Sequence, residues 1–136
     1  MGSVIVVDET TSGECAEAWE LAVQEERLTL SELVRRRVRE EVARYHQAVR
    51  YDAESVEVFR GLVRPSGAER VLDGYRLRGR REIDAEEQCR LALGAFGRNG
   101  FLVLVGERQV EELDAVVELA PGTTVVFLKL VPLVGG

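Results

Sequence analysis

Residue types that build most catalytic and metal sites are scarce in this 136-residue sequence, which holds two cysteines and one histidine. Cys15 and Cys89 lie far apart and form neither a CxxC motif nor a cluster with His46. This spacing predicts no zinc site, no disulfide framework and no bound cofactor. Cys89 lies on an apolar helical face and is predicted to be a buried structural thiol. His46 is predicted to be a solvated helix residue.

Long apolar runs are also missing, and acidic residues outnumber basic ones. No stretch approaches the roughly 20 uninterrupted apolar residues that a membrane span requires. After Met1 the apolar VIVV is broken by Asp8, unlike a secretory signal, so we expect a cytoplasmic protein without a membrane partner. The net charge is -6 and the pI is near 5.0. A protein with this negative charge repels phosphate backbones, which argues against nucleic-acid binding. A protein is the better expectation for a partner.

The first 50 residues predict a hairpin followed by a helix, within one domain that spans residues 1–136. Residues 3–10 and 16–24 have the β-branched and alternating patterns of two paired strands. The sequence TLSE at 29–32 is a capping box, which predicts a helix over about 29–49. Its apolar residues recur at spacings of three and four and form one buried stripe, namely Leu30, Val34, Val38, Val42, Tyr45 and Val49.

The pattern loosens over 50–82, which we interpret as an insertion or elaborated loop. Its arginines form a basic edge that could dock an acidic partner or a phosphate, although a solvated strand edge is the commoner role for such charges. These arginines are Arg76, Arg78, Arg80 and Arg81. A second helix is predicted over about 84–97, with Asp84 as its N-cap and Gly97 or Gly100 at its end.

The last third has the most regular pattern. FLVLV at 101–105 predicts a central strand, and a tight turn at 106–108 begins the return. Ala120-Pro121-Gly122-Thr123 predicts a type II turn before a long strand over 124–131. Pro132 ends the hydrogen-bonding capacity of that strand, so the residues up to Gly136 are expected to leave the fold as a tail.

The final Gly135-Gly136 pair carries the most specific chemistry that the sequence suggests. Glycines put no Cβ in a narrow active-site channel and leave the acyl carbon of Gly136 open to attack. A carboxylate is a poor electrophile and must first become an acyl adenylate. The sequence has no GxxxxGK(S/T) phosphate-binding loop, so we expect a separate enzyme to activate it and do not expect this chain to be an enzyme.

The stretch FLVLVGERQVEELDAVVELAPGTTVVFLKLVPLVGG at 101–136 resembles the C-terminal half of the sulfur-carrier family, which includes the small subunit of molybdopterin synthase. The shared features are a strand, a turn, an acidic connector, a Pro-Gly turn, a strand, a Pro-containing exit and Gly-Gly. Thr123 stands where the family has an acidic turn residue, and the region from about 50 to 100 has no counterpart in a minimal carrier.

The resemblance implies an α+β, ubiquitin-like β-grasp fold, with a mixed sheet packed on the helix at about 29–49. It also implies that an enzyme similar to ubiquitin-activating enzymes consumes ATP to adenylate Gly136, with Gly135 keeping the tail mobile. The product would become a thiocarboxylate for a sulfur-accepting enzyme, or an isopeptide on a lysine of a target protein. Contacts to the partner would come from Leu130, Pro132, Leu133 and Val134.

Two other functions stay open at this point. The chain could be a β-grasp interaction module that binds a partner and never has its carboxylate activated. A small enzyme that uses His46, Cys89 or the arginine edge is the least favoured possibility. The single lysine, Lys129, predicts single attachments rather than polymers if the protein is a modifier.

Overall fold

The computed structural model describes residues 2–15, 18–51, 58–71, 74–77 and 82–130. Within these ranges the chain forms nine strands and two helices, which confirms the predicted α+β class. In chain order they are β1 Ser3–Thr10, β2 Trp19–Ala22, β3 Arg27–Thr29, α1 Leu30–Tyr51, β4 Glu69–Val71, β5 Gly74–Arg76, α2 Ala85–Gly97, β6 Phe101–Val105, β7 Arg108–Val110, β8 Val116–Glu118 and β9 Thr124–Lys129. The chain divides into two compact units, one from the segments up to Leu33 and from Ala95 onward, the other Val34–Gly94.

The first unit holds a mixed five-stranded sheet in the order β2-β1-β9-β6-β7. β1 and β9 pair in parallel at its centre, and the other neighbours are antiparallel. Alternate side chains on the central strands are fully buried, as the inner face of a sheet requires. They are Val4, Val6, Phe101, Val103, Val125 and Phe127. The predicted hairpin and the two predicted C-terminal strands are therefore present.

Two turns set the register of the C-terminal strands. Gly106 takes a φ of 63° as the first central residue of the two-residue loop between β6 and β7, which is the type II′ geometry. Before β9, Gly122 takes a φ of 83° and the amide of Thr123 donates to the carbonyl of Ala120 at 3.0 Å. The Thr123 hydroxyl also donates to that carbonyl, at 2.6 Å, so the predicted type II turn is confirmed.

Helix α1 begins as the capping sequence predicts. The Thr29 hydroxyl accepts from the amide of Glu32 at 3.2 Å. The amides of Leu30 and Ser31, which have no acceptor within the helix, donate to loop carbonyls at Ala115 and Leu113, each at 2.9 Å. The predicted apolar stripe is buried from Leu30 to Tyr45, and Val49 is half-buried.

The second unit has a core of its own, and part of the segment predicted to be a loop contributes to it. Tyr45 and Phe59 stack edge to face with ring centroids 5.5 Å apart, in a cluster with Val42 and Ile83. Phe59 and Tyr75 exchange backbone hydrogen bonds of 2.7 and 2.9 Å. Together with the β4–β5 hairpin, this pairing organises residues whose charged sequence carries only a weak strand signal.

Charged residues of α1 also enter this core, which the sequence pattern did not predict. Arg37 is 1% exposed and Glu41 8% exposed, and their side chains pair at 2.5 Å. The second carboxylate oxygen of Glu41 accepts from the amide of Leu62 at 3.2 Å. Glu41 thus joins the helix to the segment that follows Phe59.

His46 is half-buried, so its prediction as a solvated residue is wrong. Its Nε2 accepts a hydrogen bond from the backbone amide of Ile83 at 3.0 Å.

Helix α2 begins at Ala85, directly after Asp84. The Asp84 carboxylate accepts hydrogen bonds from the amides of Glu86 and Glu87 at 3.0 and 3.2 Å. The predicted N-cap is confirmed. Cys89 is fully buried, as predicted.

Candidate functional site

Most of the residues that the sequence singled out lie outside the described ranges. This applies to Pro132, Leu133, Val134, Gly135 and Gly136, and in the basic edge to Arg78, Arg80 and Arg81. Of the predicted partner contacts, the structure places Leu130, which follows the end of β9 and is 36% exposed.

Two backbone hydrogen bonds fix the point at which the chain leaves β9. The carbonyl of Lys129 accepts from the amide of Thr11 at 3.1 Å, and the amide of Leu130 donates to the carbonyl of Gly100 at 3.1 Å. The first bond comes from the end of β1 and the second from the residue before β6. Because both flanking strands contribute, the chain is held in the sheet as far as Leu130.

The end of α2 positions Gly100. Asn99 takes a left-handed φ of 59°. Its amide donates to the carbonyl of Phe96 at 3.0 Å, and the amide of Gly100 donates to the carbonyl of Ala95 at 2.7 Å. These two bonds form a Schellman motif. A Cβ at Gly100 would lie 3.1 Å from the Ala95 carbonyl oxygen, so this position favours glycine. The predicted end of the helix at Gly97 or Gly100 is confirmed, since α2 ends at Gly97, and the left-handed residue of the cap is Asn99.

The outer face of the sheet is apolar on its three central strands. Its side chains alternate with the buried ones and are all half-buried rather than charged: Ile5, Val7, Leu102, Leu104, Val126 and Leu128. They are neighbours across the sheet, since Val126 pairs with both Val7 and Leu104, and Leu128 pairs with Leu102. We call these six residues the outer apolar patch.

Carboxylates border the outer apolar patch on its β1–β2 side. Glu20 lies opposite Ile5, and Glu9 lies opposite Leu128. Leu130 continues the same alternation along β9 and joins the patch to the exit of the chain. This surface depends on the registers of three strands, so the separate apolar runs of the sequence do not reveal it.

The arginine edge is represented by Arg76, which ends β5 and is exposed. In the hairpin register it lies opposite Glu69. Arg76 belongs to the second unit and Leu130 to the first.

Of the side chains named for the least favoured possibility, a small enzyme, the structure describes Cys89, His46 and Arg76. Cys89 is buried with its thiol 3.7 Å from the carbonyl oxygen of Arg35, and Nε2 of His46 is engaged by Ile83. Within the described ranges, no group of three His, Cys, Asp or Glu side chains is placed to hold a metal ion. None of the helices in those ranges is both long and apolar enough to cross a membrane.

No protein-family model, curated protein or solved structure matches this chain. The case for its function therefore rests on the motifs of the sequence and on the geometry of the sheet.

Proposed function

We propose that the protein is a ubiquitin-like β-grasp carrier whose Gly136 carboxylate is activated by a separate enzyme. The observation that carries the proposal is the position of β9 in the five-stranded sheet. β9 lies at the centre of the sheet, parallel to β1, and the chain is held in the sheet as far as Leu130, six residues before Gly136. An initial hairpin, a long helix and a final strand parallel to the first are the elements of a β-grasp fold in their expected order.

The chemistry starts with the carboxylate of Gly136. One of its oxygens attacks the α-phosphate of ATP, which releases pyrophosphate and leaves an acyl adenylate. A sulfur or thiolate nucleophile then attacks the acyl carbon, and AMP leaves with the electron pair of the broken C–O bond. Gly135 and Gly136 suit a narrow channel because neither carries a Cβ.

The outer apolar patch is the proposed docking surface for the activating enzyme. It is continuous with Leu130, so an enzyme bound there would meet the chain where it leaves the sheet. Pro132, Leu133 and Val134 would contribute further contacts. The bordering Glu9 and Glu20 favour a partner surface with an apolar centre and basic side chains beside it.

Two second steps follow from the same adenylate. Sulfur transfer would give a thiocarboxylate for a sulfur-accepting enzyme, and capture by a cysteine and then a lysine amine would give an isopeptide on a target protein. Lys129, the single lysine, lies within β9. A modifier of this kind would therefore form single attachments. The dependence on ATP accords with a cytoplasmic location.

Intact mass spectrometry tests the proposal. The protein isolated from its source should end at Gly136. Incubation with ATP and the activating enzyme should exchange one carboxylate oxygen for sulfur when a sulfide donor is supplied, or attach the chain to a target protein when that protein is supplied. The control is the same protein with one alanine added after Gly136, which should be inert. Equal behaviour of the two proteins would overturn the carrier function.

The outer apolar patch also supports the second candidate, an interaction module that is never activated. Val126→Thr keeps the side-chain shape, and it should weaken binding to the partner in either case. Val63→Thr, at a half-buried valine outside the five-stranded sheet, is the matched control. The alanine extension separates the candidates, because a module would bind its partner regardless of that residue.

A further inference from the structure

β7 is one of the two edge strands of the five-stranded sheet, and on the side away from β6 it pairs with no strand in the described ranges. The two-residue loop at Gly106-Glu107 makes Val105 and Arg108 a hydrogen-bonded pair, and Val103 with Val110 is the next one. Gln109, which lies between them, therefore directs its N–H and C=O away from β6. Exposed backbone groups of this kind can pair with an added strand.

A cleft lies at each end of this edge. One, of about 620 Å³, is lined by Phe96, Phe101 and Leu102, and the other, of about 680 Å³, by Val105, Val116 and Thr123. Both are also lined by the Gln109–Glu112 segment. Phe101 and Val105 are the two ends of β6, roughly 13 Å apart at about 3.3 Å per residue. A ligand strand of about five residues beside β7 would reach both clefts.

The charge along this edge is strongly acidic. Glu107, Glu111, Glu112 and Asp114 are exposed, and none forms an ion pair with any residue in the described ranges. The acidic side chains of the helices differ in this respect, since Glu40 and Glu86 pair with arginines. Arg108 is the one basic residue between 106 and 120. A ligand that carries positive charge is therefore favoured here.

We infer that the β7 edge binds an extended peptide segment of a partner protein in which apolar and basic residues alternate. The main chain of the segment pairs with Gln109, its apolar side chains enter the two clefts, and its basic side chains face Glu111 and Glu112. The added strand would pair with β7 and not with β9, so the inference goes beyond the proposed carrier function, although Leu102 belongs both to the first cleft and to the outer apolar patch. A second copy of this chain would bring the same carboxylates against each other, which disfavours edge-to-edge pairing.

An NMR titration of the full chain tests the inference with two probes. One is a capped hexapeptide that alternates valine with arginine, and the other alternates valine with glutamate. The arginine peptide should shift the amides of residues 108–112 in a saturable manner, and the glutamate peptide should leave them unchanged. Equal effects of the two peptides, shifts confined to the outer apolar patch, or concentration-dependent shifts of the protein alone would each overturn the inference.

Matched variants sharpen the test. Glu111→Lys with Glu112→Lys should weaken binding of the arginine peptide by tenfold or more, as about 1.4 kcal/mol corresponds to one factor of ten. Glu14→Lys with Glu26→Lys makes the same charge change at exposed positions elsewhere and should leave binding within about twofold of wild type. If both double variants bound the arginine peptide equally weakly, the loss of affinity would reflect only the net charge of the protein, and the proposed site would be overturned.

Gln109→Pro tests the backbone contribution separately. Proline lacks the N–H that an added strand would use, and it is tolerated at an edge where that N–H faces away from the ladder. We expect the variant to keep its fold, judged by its amide spectrum, and to lose most of its affinity for the arginine peptide. A folded Gln109→Pro variant that binds as wild type would contradict strand addition. If this variant does not fold, the charge variants still decide the matter.

Discussion

The backbone N–H of Ile83 donates a 3.0 Å hydrogen bond to Nε2 of His46, across 37 positions of sequence. A ring nitrogen accepts only when it carries no proton, so the neutral ring must hold its proton on Nδ1. We expect the Nδ1–H tautomer at about pH 8, read from long-range nitrogen–proton spectra of the single histidine. An Nε2–H signal would contradict this contact.

Two ion pairs on α1 share the i,i+4 spacing but differ in exposure. Arg37 and Glu41 pair at 2.5 Å in the core, whereas Arg44 and Glu40 pair at 2.9 Å at the surface. Chemical denaturation should show that Glu41→Gln lowers the free energy of unfolding by about 3 kcal/mol, and Glu40→Gln by less than about 0.5 kcal/mol. Replacing both Arg37 and Glu41 with methionine should recover much of the larger loss. Similar losses of unfolding free energy in Glu41→Gln and Glu40→Gln would contradict the expectation that the buried ion pair matters more for stability than the exposed one.

Gly74 is required where β5 passes Phe59. Its φ is 155°, and a Cβ there would lie 2.4 Å from the Phe59 carbonyl oxygen. Gly74→Ala should therefore lower the free energy of unfolding by about 2 kcal/mol or more. Gly97→Ala is the control: its Cβ would meet nothing within 4 Å, so that helical substitution should stabilise α2 by about 0.5–1 kcal/mol. Thermal unfolding of both variants measures the difference.

Burial raises the pKa of the Tyr75 phenol, and the charges of Arg70 and Arg64 offset only part of this effect. The folded chain therefore keeps this proton at a pH where the unfolded chain, near its ordinary value of about 10, has lost it. Stability from this group is complete below that value and falls as pH rises above it. An alkaline absorbance titration should show a late phenol that disappears in Tyr75→Phe, and that variant should lose less stability above about pH 10. An unchanged titration would contradict the assignment.

The two thiols should differ in reactivity. Cys15 is exposed, whereas Cys89 is buried. An aromatic disulfide reagent should modify one thiol quickly in the folded protein and both after denaturation. Cys15→Ser should abolish the fast reaction, and Cys89→Ser should leave it intact. A fast reaction that persists in Cys15→Ser would show that the core around Cys89 opens readily.

Local patterns predicted the long elements because each repeats one physical preference many times. The stripe from Leu30 to Val49 repeats over five turns, and the apolar runs of β6 and β9 exceed what a surface segment tolerates. The Pro121-Gly122 turn follows from the backbone preferences of two residues. Such signals do not depend on distant parts of the chain.

The elements that were missed depend on partners far away in sequence. β3 and β8 have three residues each, and Arg27 meets Glu118 across 91 positions. The charge of Arg37 gives no local sign that its ion pair with Glu41 lies in the core. The outer apolar patch arises from three strands side by side, so it appears only when their registers are known. The Gly135-Gly136 motif consists of two adjacent residues, whereas the sheet surface near the end of β9 is built from strands that are distant in sequence.

The pairing of β1 with β9 also sets the order of events during synthesis. The strand made first lies against the strand made last, in parallel and at the centre of the sheet. A nascent chain can form the first hairpin and the long helix early, but the sheet lacks its middle until β9 leaves the ribosome. Until then the edges of β1 and β6 that face β9 are unpaired, and unpaired apolar edges of this kind favour aggregation.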